Sequence, residues 1–412
     1  MTSHDDRARP ESKWHIPAID GLRAAACMMV FTFHAWEFAR MPSMVLPIVH
    51  FDLAVIVGKI SRGVDLFMVL SGFCLFLPLC KSAESIKKFD LRQFFSRRVR
   101  RIVPAYYASF VYVTLLPIVL VALNRLAHKP ARWQPLPSLF NVLTHLTFTH
   151  TLFPKCWDSW NPPSWSLGVE AHFYLFFPVA VIGFRRYGLR FIWACCAVST
   201  IFLAVVCRLT ENVPLDERMV AHLFWLGRWT EFGAGMVAAS WVASYRSQGR
   251  TLARSAAVPM CVAGIALFLA GACAPTNDAV NVVILSVSGV LLIMSLSVGG
   301  LRLRWSFEHP AAVWVGTRSY SIYLLHFVTT YYLARTLRVQ GHWPHLRVLA
   351  FEMTVGLALV LFVSNLSYRW FERPFLQARA PRPRPAAPPG NGNSGNEPED
   401  SGAGSPVSVP AS

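Results

Sequence analysis

Apolar residues run along this chain in blocks separated by short polar stretches. A helix needs about 20 mostly apolar residues to cross the hydrocarbon of a bilayer. Ten stretches approach that length, at about 17–39, 58–80, 102–125, 166–184, 190–208, 220–243, 255–274, 280–299, 311–334 and 347–370. The pattern predicts an all-α integral membrane protein with about ten transmembrane helices. The fourth stretch starts in the polar sequence Asn161-Pro-Pro-Ser-Trp-Ser and is continuously apolar only after His172. A short segment, 1–14, precedes the expected transmembrane domain, 15–376. The segment 377–412 is dense in Pro, Gly, Ser and Asn, a composition that predicts a disordered tail.

Composition supports the membrane. Hydrophobic residues make up 54% of the chain and charged residues 15%, against about 25% charged in ordinary soluble domains. The 39 Lys and Arg outnumber the 22 Asp and Glu, giving a net charge of +17. They cluster between apolar runs, so the excess points to cytoplasmic loops rather than to nucleic acid. With the amino terminus placed in the cytoplasm, the inner loops collect Lys81, Lys87, Lys88, Arg92, Arg97, Arg98, Arg100 and Arg101, then Arg185 and Arg186, then Arg246, Arg250 and Arg254, then Arg302 and Arg304. Ten crossings return the carboxyl terminus to the same side, so both termini are expected to be cytoplasmic. Arg23 and His34 interrupt the first apolar run, which does not read as a cleavable signal. The nine cysteines lack metal-ligand spacing and read as small core residues, so no metal site is expected.

Chemistry is then sought among polar residues at bilayer depth, where an ionisable side chain costs at least about 2.5–3.5 kcal/mol. Arg23 and His34 are eleven positions apart on the first stretch. On a helix that is about three turns and about 16 Å of rise, so they share one face, with Asp20 close to the same stripe. This spacing suits an elongated ligand entering from the cytoplasm, with anionic groups at Arg23 and a reactive end near His34. Two other roles stand beside that one: Arg23 reaching the interface and pairing with Asp20, and His34 bonding a neighbouring helix. Arg98 and Arg101 lie on one side of a helical turn at the mouth of the third stretch, where guanidinium forks suit phosphate. A basic cluster there is also a topology signal. Ser166 and Glu170 share a face of the fourth stretch. A carboxylate beginning an apolar run needs a partner, and a histidine or arginine of the first span would serve. Asp65 sits beside Ser71 and Gly72, whose small side chains permit close helix packing. His326 lies inside the ninth stretch.

Taken in order, these stretches resemble the membrane acyltransferase-3 family of integral acyl-CoA-dependent O-acyltransferases. The basic residue, ten positions and histidine of that family match Arg23 and His34. Its Phe-Phe-x-x-Ser-Gly-Phe pattern is similar to Phe67-Met68-Val-Leu-Ser71-Gly72-Phe73, and its Arg-x-x-Arg with Pro-x-Tyr matches Arg98, Arg101, Pro104 and Tyr106. Its Trp-Ser-Leu-Ser-Val-Glu-Glu-Gln-Phe-Tyr stretch becomes Trp165-Ser-Leu-Gly168-Val-Glu170-Ala171-His172-Phe-Tyr174. Ser319-Tyr-Ser-Ile-Tyr-Leu-Leu-His326 and Phe371-Glu-Arg-Pro374 complete the set, which covers residues 15–376. Gly168, Ala171 and His172 depart from the commoner Ser, Glu and Gln, which bears on acceptor fit.

The resemblance implies a multi-pass enzyme of the cell membrane, of the type without a fused extracytoplasmic domain. It implies a cytoplasmic acyl-CoA donor, most often acetyl-CoA, used as a substrate with no permanently bound cofactor. The acceptor is a hydroxyl on a sugar, whether polysaccharide, lipid-linked sugar or small-molecule glycoside. In that scheme Arg98, Arg101 and Arg23 hold donor phosphates. His34 acts as base, since imidazole exchanges protons near neutral pH, and Glu170 orients it. Direct transfer and an acyl-histidine intermediate both fit. The rival class is a secondary transporter in which Arg23, His34, Asp65 and Glu170 relay protons, and a non-catalytic membrane scaffold is a third. The segment 126–160, with Trp133, Phe140, His145, Phe148, His150, Phe153, Trp157 and Trp160, is a candidate outer acceptor surface and equally an interfacial aromatic belt.

Overall fold

A computed structural model describes residues 14–46, 51–128, 135–273, 277–300, 304–339 and 341–377. The expected terminal segments 1–14 and 377–412, apart from Trp14 and Gln377, lie outside the described residues, as do Trp133 and Arg302. The architecture is helical. Nine long helices are α1 (Pro17–Phe38), α2 (Gly63–Phe76), α3 (Leu91–Leu126), α4 (Trp165–Tyr187), α5 (Leu189–Leu209), α6 (Trp225–Ser247), α7 (Arg254–Cys273), α8 (Asp278–Val298) and α9 (Pro310–Val339). A tenth segment, α10, runs from His345–Phe351 to Arg373–Gln377 through two π-turns, Glu352–Gly356 and Tyr368–Glu372. Each falls on one of the ten apolar stretches. The only strands among the described residues are a two-residue antiparallel pair in which Val45 faces Asp52 and Leu46 faces Phe51.

Six of these segments are long and apolar enough to cross a membrane: α3, α4 with the turn before it, α5, α7, α8 and α10. The other four are α1, α2, α6 and α9. The α2 helix has 14 residues, and the other three carry Arg23 and His34, Arg228 and Glu231, and Arg318 and His326. These four helices pack centrally: α1 lies against α9 and α2, and α6 lies against α2. Around them, α3, α5 and α7 turn Val111, Leu115, Val119, Val198, Ile201, Val262 and Ile265 outward. Large apolar side chains on the outside and ionisable ones within suit a lipid solvent.

Local chemistry sets the boundaries. The Asp90 side chain accepts a hydrogen bond from the Gln93 N–H at 2.9 Å and caps α3. The basic stretch expected as the end of a loop is therefore helical from Leu91, and α3 carries Arg98 and Arg101 on continuous helix. The second expected span is shorter than its apolar stretch, because the chain makes short turns at Ala54–Val57 and Ile60–Arg62 before α2 starts. Gly188, at φ +63°, is the whole connection between α4 and α5, a left-handed position that favours glycine. Where α2 meets α6, a Cβ on Gly72 would overlap the Phe232 carbonyl oxygen, and one on Gly235 would overlap that of Val69. The two backbones thus touch, as Gly72 in the sequence anticipates.

Candidate functional site

Five helices converge on a cavity with about 780 Å³ of empty space, counting its open mouth. Its wall includes Arg23 from α1, Ser71 and Cys74 from α2, Arg98 and Arg101 from α3, and Ser166, Glu170 and Tyr174 from α4; α9 adds Tyr320 and Tyr323. Five of the residues singled out in the sequence, Arg23, Arg98, Arg101, Ser166 and Glu170, therefore line one space. Cys74 sits within electrostatic reach of Arg23, Arg98 and Arg101, so three guanidinium groups converge there. The Arg98 guanidinium lies 5.8 Å from the Tyr174 ring centre, and its Nε is buried without a hydrogen-bond partner. A buried charged donor with an unmade bond is costly. An anionic oxygen is the group that would satisfy it.

Glu170 accepts hydrogen bonds from the hydroxyls of Ser71 and Tyr174. Tyr174 follows one helical turn later on the same face, and Ser71 reaches across from α2. The Ser166 hydroxyl donates to the Tyr323 hydroxyl at 2.8 Å, and Tyr323 donates to the Pro163 carbonyl at 2.9 Å, tying α4 to α9. Behind Arg101, the π-turn Tyr368–Glu372 directs Glu372 inward, where it accepts from Ser321 at 3.1 Å.

His34 is not in this wall. It stands farther along α1, half-buried, with Nδ1 2.9 Å from the Glu37 carboxylate. With Nδ1–H donating to Glu37, Nε2 keeps its lone pair. The carboxylate beside His34 is thus Glu37, one turn on in the same helix, and not Glu170 as the sequence led us to expect. The His326 ring centre lies 5.3 Å from that of His34. His326 Nδ1 donates to the Tyr323 carbonyl at 2.8 Å, while its buried Nε2 has no partner. Tyr323 links the two regions, since it lines the cavity and its ring lies 5.7 Å from His326.

Asp20 and Asp65 occupy other settings. Asp20 takes a hydrogen bond from His15 Nε2 at 2.8 Å, and among the described residues no ion pair joins it to Arg23. Asp65 is buried against Arg228 at 2.8 Å, and Arg228 also holds Glu231 at 2.9 Å. Arg62 extends the cluster, 3.6 Å from Asp65 and 3.0 Å from Asp278, which His222 meets at 2.7 Å. The four groups of a proton relay, Arg23, His34, Asp65 and Glu170, thus fall in three separate settings.

Beyond His34, the segment before α4 folds back over the bundle. His145 and His150 stack with ring centres 4.1 Å apart, and His150 donates from Nε2 to the Ser164 carbonyl at 3.1 Å. Burial, with His145 alongside, pushes the His150 imidazole down to about 3. Gly168 makes room for this pair, because a Cβ there would lie 2.8 Å from Thr151 Cγ2 and 3.0 Å from His150 Cε1. His172 bonds the Gly168 carbonyl at 2.7 Å. One of the departures noted in the sequence, Gly168, is therefore packing against this segment.

A family profile described as an acyltransferase domain matches residues 16–366. The chain belongs to this acyltransferase family. It is similar to the peptidoglycan O-acetyltransferase OatA of Listeria monocytogenes, 25% identical over 383 residues that cover 88% of this chain and 56% of OatA. YrhL of Bacillus subtilis, provisionally named a peptidoglycan O-acetyltransferase, is 26% identical over 87% of this chain and 55% of its own length. SACOL0978 of Staphylococcus aureus, provisionally named an O-acetyltransferase, is 23% identical over 88% of this chain and 57% of its own. The chain spans about half the length of these curated relatives. No solved structure matches it at a significant level.

Within this acyltransferase domain, sequence reasoning missed Glu37, Tyr174, Tyr320, Tyr323 and Glu372 as contributors. Two carried a legible signal: Glu37 lies three positions after His34, and Tyr174 lies four after Glu170, both spacings that put side chains on one helical face. Tyr320, Tyr323 and Glu372 reach the site through helix packing, which no local spacing reveals.

Proposed function

We propose that the chain is a multi-pass O-acyltransferase of the plasma membrane, crossing it ten times with both termini cytoplasmic. It moves an acyl group, most simply acetyl, from cytoplasmic acyl-CoA to a hydroxyl of a carbohydrate or glycosylated acceptor. The observation that carries this reading is the convergence of Arg23, Arg98 and Arg101 on one cavity, with the Arg98 Nε left unpartnered. Coenzyme A bears phosphates at one end and a thioester at the end of a long arm, so it has the charge distribution the cavity calls for. The richest basic segment of the chain, Arg97 to Arg101, sits at this cavity's end of α3, which supports an inward-facing mouth. The relatives are named O-acetyltransferases, which supports acetyl as the group moved.

In the proposed reaction His34 Nε2 takes the proton of the acceptor hydroxyl as its oxygen attacks the thioester carbonyl carbon. The carbon–sulfur bond breaks, and the departing thiolate receives the proton from the imidazolium. An acetyl ester and free CoA result. Glu37 holds the ring through Nδ1 and stabilises its charged form. Glu170, held by Ser71 and Tyr174, supports the cavity wall rather than the imidazole. The test is to incubate the protein in lipid nanodiscs with radiolabelled acetyl-CoA and a mixed glycan pool, following free CoA and labelled ester. Wild type should release both and His34→Ala neither. Gradient-driven uptake without thioester consumption would favour the transporter class.

A further inference from the structure

A second cavity lies beyond His34, with about 1320 Å³ of empty space counting its open mouth. Three helices, α1, α3 and α9, contribute to both cavities. Along α3, Arg98 and Arg101 line the first and Thr114, Pro117 and Ile118 the second. Along α9, Tyr320 and Tyr323 line the first, Phe327 and Tyr331 the second, and His326 falls between. Along α1, Arg23 belongs to the first and Phe38 to the second. His34 fills the gap: its ring packs on Phe38 at 5.9 Å, on Phe327 at 5.0 Å and on His326 at 5.3 Å. The two cavities thus meet at a histidine layer, in which His326 presents a buried, unpartnered Nε2.

Their linings differ in kind. Three arginines and Glu170 face the first cavity. Among the described residues, none lining the second is charged; Trp160, Tyr331 and Tyr332 are aromatic with a polar atom, and Ile118, Pro117 and Leu136 form an apolar wall. Leu136 is 68% exposed, and it adjoins the short helix Leu139–Leu146, whose Leu139, Phe140 and Leu143 are also exposed. Such an apolar rim suits a mouth facing lipid, with the amphipathic helix along the interface.

We propose that this second cavity is the acceptor site, and that it takes a neutral amphiphilic glycoside arriving from the bilayer. Aromatic faces bearing polar atoms would hold the sugar, with one hydroxyl directed at His34. The apolar wall would hold the tail. A charged sugar is disfavoured, because the described lining supplies no counter-charge and burial of an unpaired ion is costly. The inference rests on the acyltransferase reading for its chemistry, but not for its binding.

The test uses the full chain in lipid nanodiscs, with empty nanodiscs as the partition control. Radiolabelled octyl β-D-glucoside, octyl β-D-glucuronide and free glucose are compared, against wild type, Ile118→Trp and Ile118→Ala. Saturable binding of octyl glucoside at least tenfold tighter than either of the others, weakened tenfold by Ile118→Trp and little changed by Ile118→Ala, is expected. CoA affinity by calorimetry should stay within twofold in both variants, showing that they fold. Equal binding of the glucuronide or of glucose, or binding indifferent to Ile118→Trp, overturns the assignment. A parallel arm adds acetyl-CoA. Octyl glucoside bound without any thioester consumed upholds the cavity and refutes acyl transfer, whereas acetylation of free glucose unaffected by Ile118→Trp does the reverse.

Discussion

Replacing Arg228 by methionine should destabilise the bundle severely. This guanidinium is 4% exposed and serves two buried carboxyl groups, Asp65 at 2.8 Å and Glu231 at 2.9 Å. Its removal leaves both without their shared cation, although Arg62, 3.6 Å from Asp65, compensates in part. Removing one partner of a buried ion pair costs about 3–5 kcal/mol, chiefly through the charge left behind. At about 2 °C per kcal/mol for a large chain, the melting midpoint should fall by about 6–10 °C. The triple variant Arg228→Met, Asp65→Asn, Glu231→Gln removes the charges together and should recover most of the loss, because neutral replacement of a whole buried cluster is often tolerated. Melting can be followed with a thiol-reactive dye in nanodiscs, since Cys27, Cys156, Cys196, Cys207 and Cys261 are buried free thiols that unfolding exposes. An Arg228→Met midpoint within 2 °C of wild type, or a triple variant melting below the single one, would refute a structural role for the cluster.

Three further outcomes are expected. Arg98→Gln and Arg101→Gln should each raise the KM for acetyl-CoA about 10- to 100-fold, the equivalent of one charge-assisted hydrogen bond of about 1.5–3 kcal/mol; steady-state kinetics on folded variants decides it. Glu37→Gln should lower kcat by about 10- to 100-fold with the acetyl-CoA KM unchanged, and Glu37→Asp should restore part of it, whereas a merely structural role would lower stability and raise KM. His150 is held neutral by burial, its folded value of about 3 lying below the unfolded value near 6.5. Its stabilisation is therefore complete above about pH 6.5 and lost as pH falls toward 3, about 2 kcal/mol of it by pH 5. The melting midpoint should drop between pH 7 and pH 5, and less so in His150→Gln.

The helices were legible because hydrophobic periodicity in a membrane protein is continuous rather than one-sided: all ten apolar stretches hold helices. What the pattern could not give was their ends. Those depend on single groups, such as Asp90 capping α3 and Gly188 closing the turn into α5. The cationic cavity was legible in Arg23, Arg98, Arg101, Ser166 and Glu170, because charge at bilayer depth is expensive and so has few explanations. Partner assignments were not. The need for compensation called for a histidine or arginine of the first span beside Glu170, and the family resemblance set it to orient His34, yet two hydroxyls satisfy Glu170, and Glu37 is the carboxylate beside His34. Asp65 drew notice for the same cost, and its compensation came from Arg228 on α6, far along the chain. Spacing along one helix reveals shared faces, but which helix faces which is decided by packing, as at Gly72 and Gly235.

The most direct measurement is a cryo-electron microscopy structure of the protein in nanodiscs with a non-hydrolysable acetyl-CoA analogue. The account predicts phosphates on Arg23, Arg98 and Arg101, and an acyl carbonyl within reach of His34 Nε2. Phosphates bound elsewhere, or an imidazole screened from the acyl end by intact packing, would contradict it.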